Sequence, residues 1–536
     1  MEFNIADLFE SVVDVAGDRD AVVAGEKRLT YGELDRRANR AAHCLAAAGI
    51  GPGDHVGLHL YNGIEFLEAL LGLFKIRAVP INVNYRYVAD ELRYVFADAD
   101  LKGLVHQREF TADVEAARDA APELKVFIAV DDETDGDLSG LGSISYEEAL
   151  ASASPERDFG PRSPDDLYIV YTGGTTGMPK GVMWRHEDVF FAGLQGGNPG
   201  GDPISAPEEL GQVAGSGDRA MSMLTAAPFI HGSAQWAAFI SFFSGGKVVL
   251  IPGRSYDPDA MWRAVGQEQV TVINLVGDAM AAPLARALDR PDHGYDTSSL
   301  FVIASAGAVL SESIQKHLQQ HLPTTMVLNN FGASETGHQG TVPPGTVSER
   351  PRFFMDETNC VLDDENRPVE PGSGVVGRLA RTGHLPLGYY NDEAKTAQTF
   401  FEIDGKRWVV PGDMATIEAD GMITVFGRGS VCINSGGEKI YPEEVEEAVK
   451  GHPGVADAII VGVADDRWGQ RVAAVVACRG DGSLTLDELK LHCRSVIAGY
   501  KVPRELHLVE SVARQPSGKP DFQWAKKVAD SGEYRV

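Results

Sequence analysis

The sequence predicts an α/β fold. A large N-terminal domain of mixed, largely parallel sheets is covered by helices and followed by a small α+β C-terminal domain. Three observations predict it. The 536 residues exceed what one hydrophobic core supports, so at least two domains are expected. Residues 1–130 alternate helix and strand patterns, the rhythm of a parallel sheet with crossover helices. After the turn Gly427-Arg-Gly-Ser430 the texture changes to an acidic helix and β-rich runs.

In chain order, Leu29-Thr-Tyr-Gly-Glu-Leu-Asp opens a helix. Thr30 is its cap, Glu33 stands at the capping-box position, and the apolar spacing continues through Ala41-Ala-His-Cys-Leu45. His55–Leu60 reads as a strand, Phe66–Phe74 as a helix and Ala78–Val83 as a strand. Residues 193–220, rich in Gly and Pro, read as a long surface loop or lid. In the C-terminal part Pro442–Lys450 reads as an acidic amphipathic helix. Val455–Val463 and Arg471–Cys478 read as strands, and a helix starts near Leu484. There is no internal repeat.

Composition narrows the class. With 48 basic against 77 acidic residues the formal charge is −29, which argues against nonspecific binding to nucleic acid or an anionic membrane. Cys44, Cys360, Cys432, Cys478 and Cys493 form no C-x-x-C pair, the pattern of reduced thiols in a cytoplasmic protein. No signal-peptide pattern opens the chain, and no apolar run is long enough for an integral membrane segment.

The chemistry concentrates in Tyr171-Thr-Gly-Gly-Thr-Thr-Gly-Met-Pro-Lys180-Gly181. It follows the apolar run Leu167-Tyr-Ile-Val170 and precedes Val182-Met-Trp and a helix-like segment, so a strand–loop–helix context is expected. Gly173, Gly174 and Gly177 let backbone N–H groups turn inward. Thr172, Thr175 and Thr176 add hydroxyls, and Lys180 adds a point charge. That collection suits a triphosphate. It is not a Walker loop, since Pro179 precedes the lysine and Gly181 follows it. The match Gly372-Ser-Gly374-Val-Val-Gly377 follows Pro371 and leads into no helix pattern, so it reads as a turn.

Further signals are Asn329-Asn330-Phe331-Gly332-Ala-Ser334-Glu335 after a strand, Pro411-Gly-Asp413, and Arg428. Ser435-Gly436-Gly437-Glu-Lys439 and Pro-Ser-Gly-Lys519 complete the set. Together, and in this order, they resemble the adenylate-forming family of acyl-CoA synthetases, peptide-synthetase adenylation domains and luciferases. The texture is most similar to actinobacterial acyl-CoA ligases of the steroid side-chain type. The resemblance covers essentially the whole chain. It implies an N-terminal domain over 1–429 and a mobile C-terminal domain over 430–536, hinged near Ser430.

The resemblance also implies the chemistry. A carboxylate attacks the α-phosphate of ATP to give acyl-AMP, and the thiol of CoA then takes the acyl group. The loop from Thr172 to Lys180 would hold the β- and γ-phosphates, with Thr172 and Glu335 at Mg²⁺-associated positions. Phe331 would stack on adenine beside Asn329, Asn330, Gly332 and Ser334, opposite a wall of Gly307 and Ala308. Asp413 and Arg428 would hold the ribose, Lys519 would bridge carboxylate and α-phosphate, and His231 would stand beside the acyl carbonyl and thiol tunnel. Ser435, Gly436, Gly437 and Lys439 would face the CoA side.

The acyl pocket would be lined by His231, Gln235, Trp236, Asn274, Val276, Gly277, Gly332 and Gly337, small residues making room for a bulky apolar acid of sterol or terpenoid type. The runner-up acid is a medium- or long-chain fatty acid. An enzyme competent only in thioester formation, an acyl-AMP ligase that loads a carrier protein, and a nucleotide-binding regulator are the alternatives. A homodimer stays open. Three positions depart from the family pattern: Phe331 for tyrosine, Pro411 for threonine and Ser430 in the hinge. They bear on the balance between the two half-reactions.

Overall fold

The computed structural model describes residues 1–174, 177–308, 310–342, 352–354, 356–435, 438–465, 469–480, 483–497, 499–515, 519–532 and 534–535. The β-branched, apolar runs form two eight-stranded sheets. In the first, Met326–Ala333, Val302–Ser305, Val272–Leu275, Ser222–Thr225, Lys247–Leu250 and Asp20–Ala24 are neighbours in that order and pair parallel. Gly337–Thr341 and Lys27–Thr30 close its two edges antiparallel. In the second, Leu167–Gly174, Val79–Asn82, His55–His59, Leu101–Gln107 and Val126–Val130 are parallel neighbours.

Helices Ile5–Ala16, Tyr31–Ala47, Ile64–Lys75 and Gly232–Phe243 share one core with residues of both sheets. Among its members are Val22 and Leu250 of the first sheet and Leu58, Tyr168 and Trp184 of the second. The outer faces carry separate cores under helices Pro258–Gln267, Gly277–Leu288 and Glu312–His321 on one side and Ala89–Asp98 on the other. This is the helix-covered, largely parallel architecture that the sequence predicts. Thr30 and Glu33 make both bonds of the expected capping box. Lys75 lies within the shared core, fully buried, with its ammonium paired to Glu10 and, at 2.8 Å, to Asp35.

An antiparallel sheet spans 352–428, and the next sheet starts at Ile433. That last sheet pairs Val455–Asp465 with Gly469–Cys478 and is packed by helices Pro442–Lys450, Leu486–Arg494 and Phe522–Ser531.

Two expectations are corrected. Residues 193–220 are not one long loop, because Glu208–Ser216 is a helix packed on Ile5–Ala16. A Cβ on Gly211 would sit 3.0 Å from the Ser11 carbonyl oxygen, so glycine serves close helix contact here. The Gly/Thr motif is not flanked by strand and helix. Leu167–Gly174 turns back into a second strand, Gly177–Arg185, and helix His186–Ala192 comes only afterwards. Buried Val182 and Trp184 hold that strand in the core despite its glycines and proline.

Candidate functional site

The site forms where the strands of both sheets end. The Gly/Thr motif lies on the two strands of the hairpin, with Thr172 opposite Lys180 and Tyr171 opposite Gly181. Thr175 and Thr176 lie outside the described residues, as do Gly436 and Gly437. Asn82 pins the hairpin. Its Oδ1 accepts the Tyr171 N–H at 2.7 Å, and its Nδ2 donates to the Tyr171 carbonyl at 2.8 Å and the Ile230 carbonyl at 2.6 Å. Ile230 precedes His231, so one buried amide joins the hairpin to the loop that carries the histidine. Motif reading missed Asn82. Its signal is a polar residue inside the apolar strand Val79–Asn82.

Two side chains from the segment after Gly388 reach the charged residues of the motifs. Lys180 is ion-paired with Asp392, and the Tyr389 hydroxyl donates to Glu335 Oε1 at 2.9 Å. The ion pair with Lys180 holds the Asp392 carboxyl below the usual range. Neither Tyr389 nor Asp392 belongs to a motif singled out in the sequence.

The strand Met326–Ala333 carries Asn329, Asn330, Phe331 and Gly332, and Glu335 follows it in the turn to Gly337–Thr341. Asn330 Oδ1 accepts the Thr341 hydroxyl at 2.7 Å, and the Ser334 carbonyl accepts the Trp184 indole N–H at 2.9 Å. Phe331 lies parallel to Phe353 with centroids 5.5 Å apart, so one ring face is anchored by protein. In the turn after the neighbouring strand Val302–Ser305, Gly307 has φ +82°, and among the described residues a Cβ there would meet only Val276, at 4.0 Å. Ala308 packs against the main core. Asp413, buried, pairs in register with Arg428 of the neighbouring strand. Ser435 is buried opposite Glu438, and Lys439 lies on the paired strand Glu438–Ile440. Lys519 lies in the segment before helix Phe522–Ser531.

Thr172 and Glu335 offer hard oxygen donors only, and one carboxylate oxygen is already oriented by Tyr389. This donor set fits Mg²⁺, which takes few protein oxygens and completes its shell with water and phosphate.

His231 caps helix Gly232–Phe243, and buried Trp236 packs edge-on against Trp184 at 6.3 Å. Asn274 stands one residue before the end of the first-sheet strand Val272–Leu275, beside Thr225 of the neighbouring strand. On this face Met223, Val272, Val302 and Ala304 pack with Ala237 of the helix. Asn274 Oδ1 and Thr225 Oγ1 are buried without a hydrogen-bond partner among the described residues. Val276 is buried, and Gly277, with φ +55°, donates its N–H to Ser305 Oγ at 2.9 Å.

Gln235 is buried. It accepts from the Tyr168 hydroxyl at 2.6 Å and donates to the Phe229 carbonyl at 2.6 Å inside the core. Gly332 and Gly337 do not make room for a ligand through small size. A Cβ on Gly332 would stand 2.2 Å from the Gly337 carbonyl oxygen, and one on Gly337 would stand 2.6 Å from the Ala192 carbonyl oxygen. Backbone fills the space their side chains would take.

Helix Pro442–Lys450 docks on the large domain. Glu447 Oε1 accepts the Glu312 N–H at 2.8 Å, and Lys450 Nζ lies 3.8 Å from Asp278. Burial pushes the Glu447 carboxyl up to about 7 against that hydrogen bond. Among the described residues no helix is long and apolar enough to cross a membrane.

The family model for AMP-binding enzymes matches residues 9–390, and that for the AMP-binding enzyme C-terminal domain matches residues 444–519. The chain is 49% identical to a 3-oxocholest-4-en-26-oate–CoA ligase of Rhodococcus rhodochrous, over 98% of this chain and 96% of that one. It is 48% identical to a medium/long-chain-fatty-acid–CoA/3-oxocholest-4-en-26-oate–CoA ligase of Mycolicibacterium smegmatis, over 99% and 97%. Among solved structures, an anthranilate CoA ligase in complex with anthranoyl-AMP has a TM-score of 0.85 at 21% identity, covering 99% of this chain and 98% of that one, a likeness of fold.

Proposed function

The chain belongs to the AMP-binding enzymes, and on that premise we propose how its residues divide the work and which acid it takes. It is an AMP-forming acid–CoA ligase. A carboxylate oxygen attacks the α-phosphorus of ATP and pyrophosphate leaves; the CoA thiol then attacks the acyl carbon and AMP leaves. The first step brings two anions together, so charge neutralisation and alignment matter more than a base.

In this reading Lys180 and the hairpin backbone hold the β- and γ-phosphates. Thr172 and Glu335 would hold Mg²⁺, which when bound supplies charge neutralisation at the phosphates. Phe331 stacks on adenine with the ring face opposite Phe353, and the turn at Gly307 and Ala308 forms the other wall. Asp413 accepts the ribose hydroxyls with Arg428 beside it. Lys519 swings in to bridge carboxylate and α-phosphate during adenylation. His231 lines the path of the thiol to the acyl carbon, and Ser435, Gly436, Gly437 and Lys439 flank CoA. Domain rotation about Ser430 exchanges the two halves. Cys44, Cys360, Cys478 and Cys493 are free thiols, which supports a cytoplasmic setting.

For the acid we propose a steroid side-chain carboxylate of the 3-oxocholest-4-en-26-oate class. The observation that carries this is 46–49% identity over nearly the whole chain to ligases named for that acid. The orphaned Asn274 and Thr225 oxygens favour an acid that carries a polar group along its skeleton, because each can take a hydrogen bond that an alkyl chain lacks. Medium- and long-chain fatty acids are the second reading, since relatives named for the steroid acid are also named for these.

The test separates the half-reactions in a Lys519→Ala variant. Pyrophosphate release from ATP and acid should fall at least a hundredfold, while thioester formation from synthetic acyl-AMP and CoA persists. Equal loss of both steps would refute the role given to Lys519.

A further inference from the structure

We propose that Gly388–Asp392 is a brace for the adenylation site, with Tyr389 and Asp392 as positioning residues that hold Glu335 and Lys180 in their working geometry. This rests on the reading that Lys180 and Glu335 serve the phosphates and the metal.

The segment is zipped onto the strand just past Lys180. Tyr389 pairs with Val182 and Gly388 with Met183. The Leu387 N–H donates to the Met183 carbonyl at 2.7 Å, and the Tyr390 N–H to the Gly181 carbonyl at 2.8 Å. Gly388 has φ +150°, and a Cβ there would lie 2.4 Å from Thr396 Cγ2, so only glycine lets the strand lie this close to the next helix. The Thr396 hydroxyl accepts the Tyr389 N–H at 2.8 Å. The far side is fastened too: Asn391 Nδ2 donates to the Asp98 carbonyl at 3.0 Å, and the Tyr390 hydroxyl donates to Asp100 at 2.9 Å. A segment tied down at every residue presents two side chains to the site.

Each reaches one charged side chain of the candidate site. Asp392 Oδ1 caps helix Glu393–Thr399 by accepting the Lys395 N–H at 2.9 Å, and Oδ2 pairs with Lys180. The lysine ammonium has three N–H donors. One turned to Asp392 fixes the end of a flexible side chain and leaves two for phosphate oxygens. The Tyr389 ring is buried edge-on against Phe400 at 5.8 Å, and its hydroxyl donates to Oε1 of Glu335 at 2.9 Å. A hydrogen bond to one carboxylate oxygen sets the plane of the group and directs the other, which is how outer-shell partners tune a metal ligand.

The experiment uses Asp392→Asn, which keeps the helix cap, and Tyr389→Phe, which keeps the ring, in the full chain. Calorimetric ATP binding without acid, titrated over Mg²⁺ concentration, is the main readout. Asp392→Asn should weaken MgATP binding about fivefold. Tyr389→Phe should raise the Mg²⁺ concentration needed for half-maximal ATP binding about tenfold. Both should keep the wild-type melting temperature within about 3 °C and the wild-type rate of thioester formation from synthetic acyl-AMP. On a Lys180→Met background Asp392→Asn should add nothing. If Lys180→Met weakens MgATP binding but Asp392→Asn and Tyr389→Phe do not, the brace is wrong and the site reading stands. If Lys180→Met itself binds MgATP normally, the site reading fails and the brace with it. Equal loss of both half-reactions in the two brace variants would also overturn the proposal, since that marks general structural damage.

Discussion

Replacing Asn82 by alanine should cost both stability and adenylation, and the structure sets the scale. Three buried backbone groups lose their partner at once: the N–H and carbonyl of Tyr171 and the carbonyl of Ile230, now bonded at 2.7, 2.8 and 2.6 Å. At about 1 kcal/mol net for each bond, the variant should lose about 3 kcal/mol, and more if water does not reach the orphaned groups. Urea unfolding followed by far-UV circular dichroism reads that loss as a lower midpoint at unchanged slope. The functional effect should be unequal. Asn82 sets the Gly/Thr hairpin, proposed to hold phosphates, against the loop bearing His231, so pyrophosphate release should fall more than melting alone explains at a temperature where the variant is fully folded. Asn82→Asp, which keeps only an acceptor for the Tyr171 N–H, should restore less than half of the lost stability. A variant within 0.5 kcal/mol of wild type, an interval that ordinary surface changes occupy, with normal adenylation would refute this account of the hairpin.

Three further outcomes are expected. Asp35→Asn should destabilise the protein by about 3 kcal/mol or more in chemical denaturation, because it strips a partner from fully buried Lys75. Burial raises the Asp35 carboxyl, but Lys75 and Arg157 outweigh it and hold the group below its usual value. Its contribution is therefore complete above about pH 4 and lost as pH falls through the lowered folded value, so wild type should show an acid loss of stability that the variant lacks. Asn274→Leu should shift kcat/KM toward dodecanoate over the steroid acid by about tenfold, because it removes an orphaned amide that only a polar ligand group can satisfy; an unchanged ratio in competition assays would count against that contact. Docking of helix Pro442–Lys450 should strengthen as pH falls from about 7 towards about 4.3, where exposed glutamate titrates. Docked Glu447 holds its proton up to about 7. The buried anion faces Asp278 and Glu312 with Lys450, so docking takes up a proton. Energy transfer between labels on the two domains should report this, and Glu447→Gln should flatten the profile.

Much of the fold was legible because its signals are local. Thr30 and Glu33 announce a helix start through bonds between residues three apart, and the apolar runs at His55 and Val79 need only a sheet to join. The second hairpin strand was not legible. Gly-Met-Pro-Lys-Gly has no alternation, and pairing with Leu167–Gly174 together with the buried Trp184 makes it a strand. Glycine misled in three places for one reason. At Gly211, Gly332 and Gly337 it marks close backbone approach, which composition cannot distinguish from looseness or from space for a ligand. The candidate site residues that carry motifs were named from sequence. Asn82, Tyr389 and Asp392 were not, since each gains its meaning from a partner 54 to 212 residues away along the chain. Gln235 sits near His231 in the sequence, and only the three-dimensional structure shows its amide bonded to Tyr168 and Phe229.

The central claim is that one chain carries a steroid side-chain acid through both half-reactions. The most direct measurement incubates the protein with ATP, Mg²⁺, CoA and 3-oxocholest-4-en-26-oate, with dodecanoate in parallel, and follows pyrophosphate and acyl-CoA together. Equimolar pyrophosphate and steroid thioester are expected, with a higher kcat/KM for the steroid acid than for the fatty acid. Thioester formed only when synthetic acyl-AMP is supplied, with no pyrophosphate from either acid, would contradict the claim.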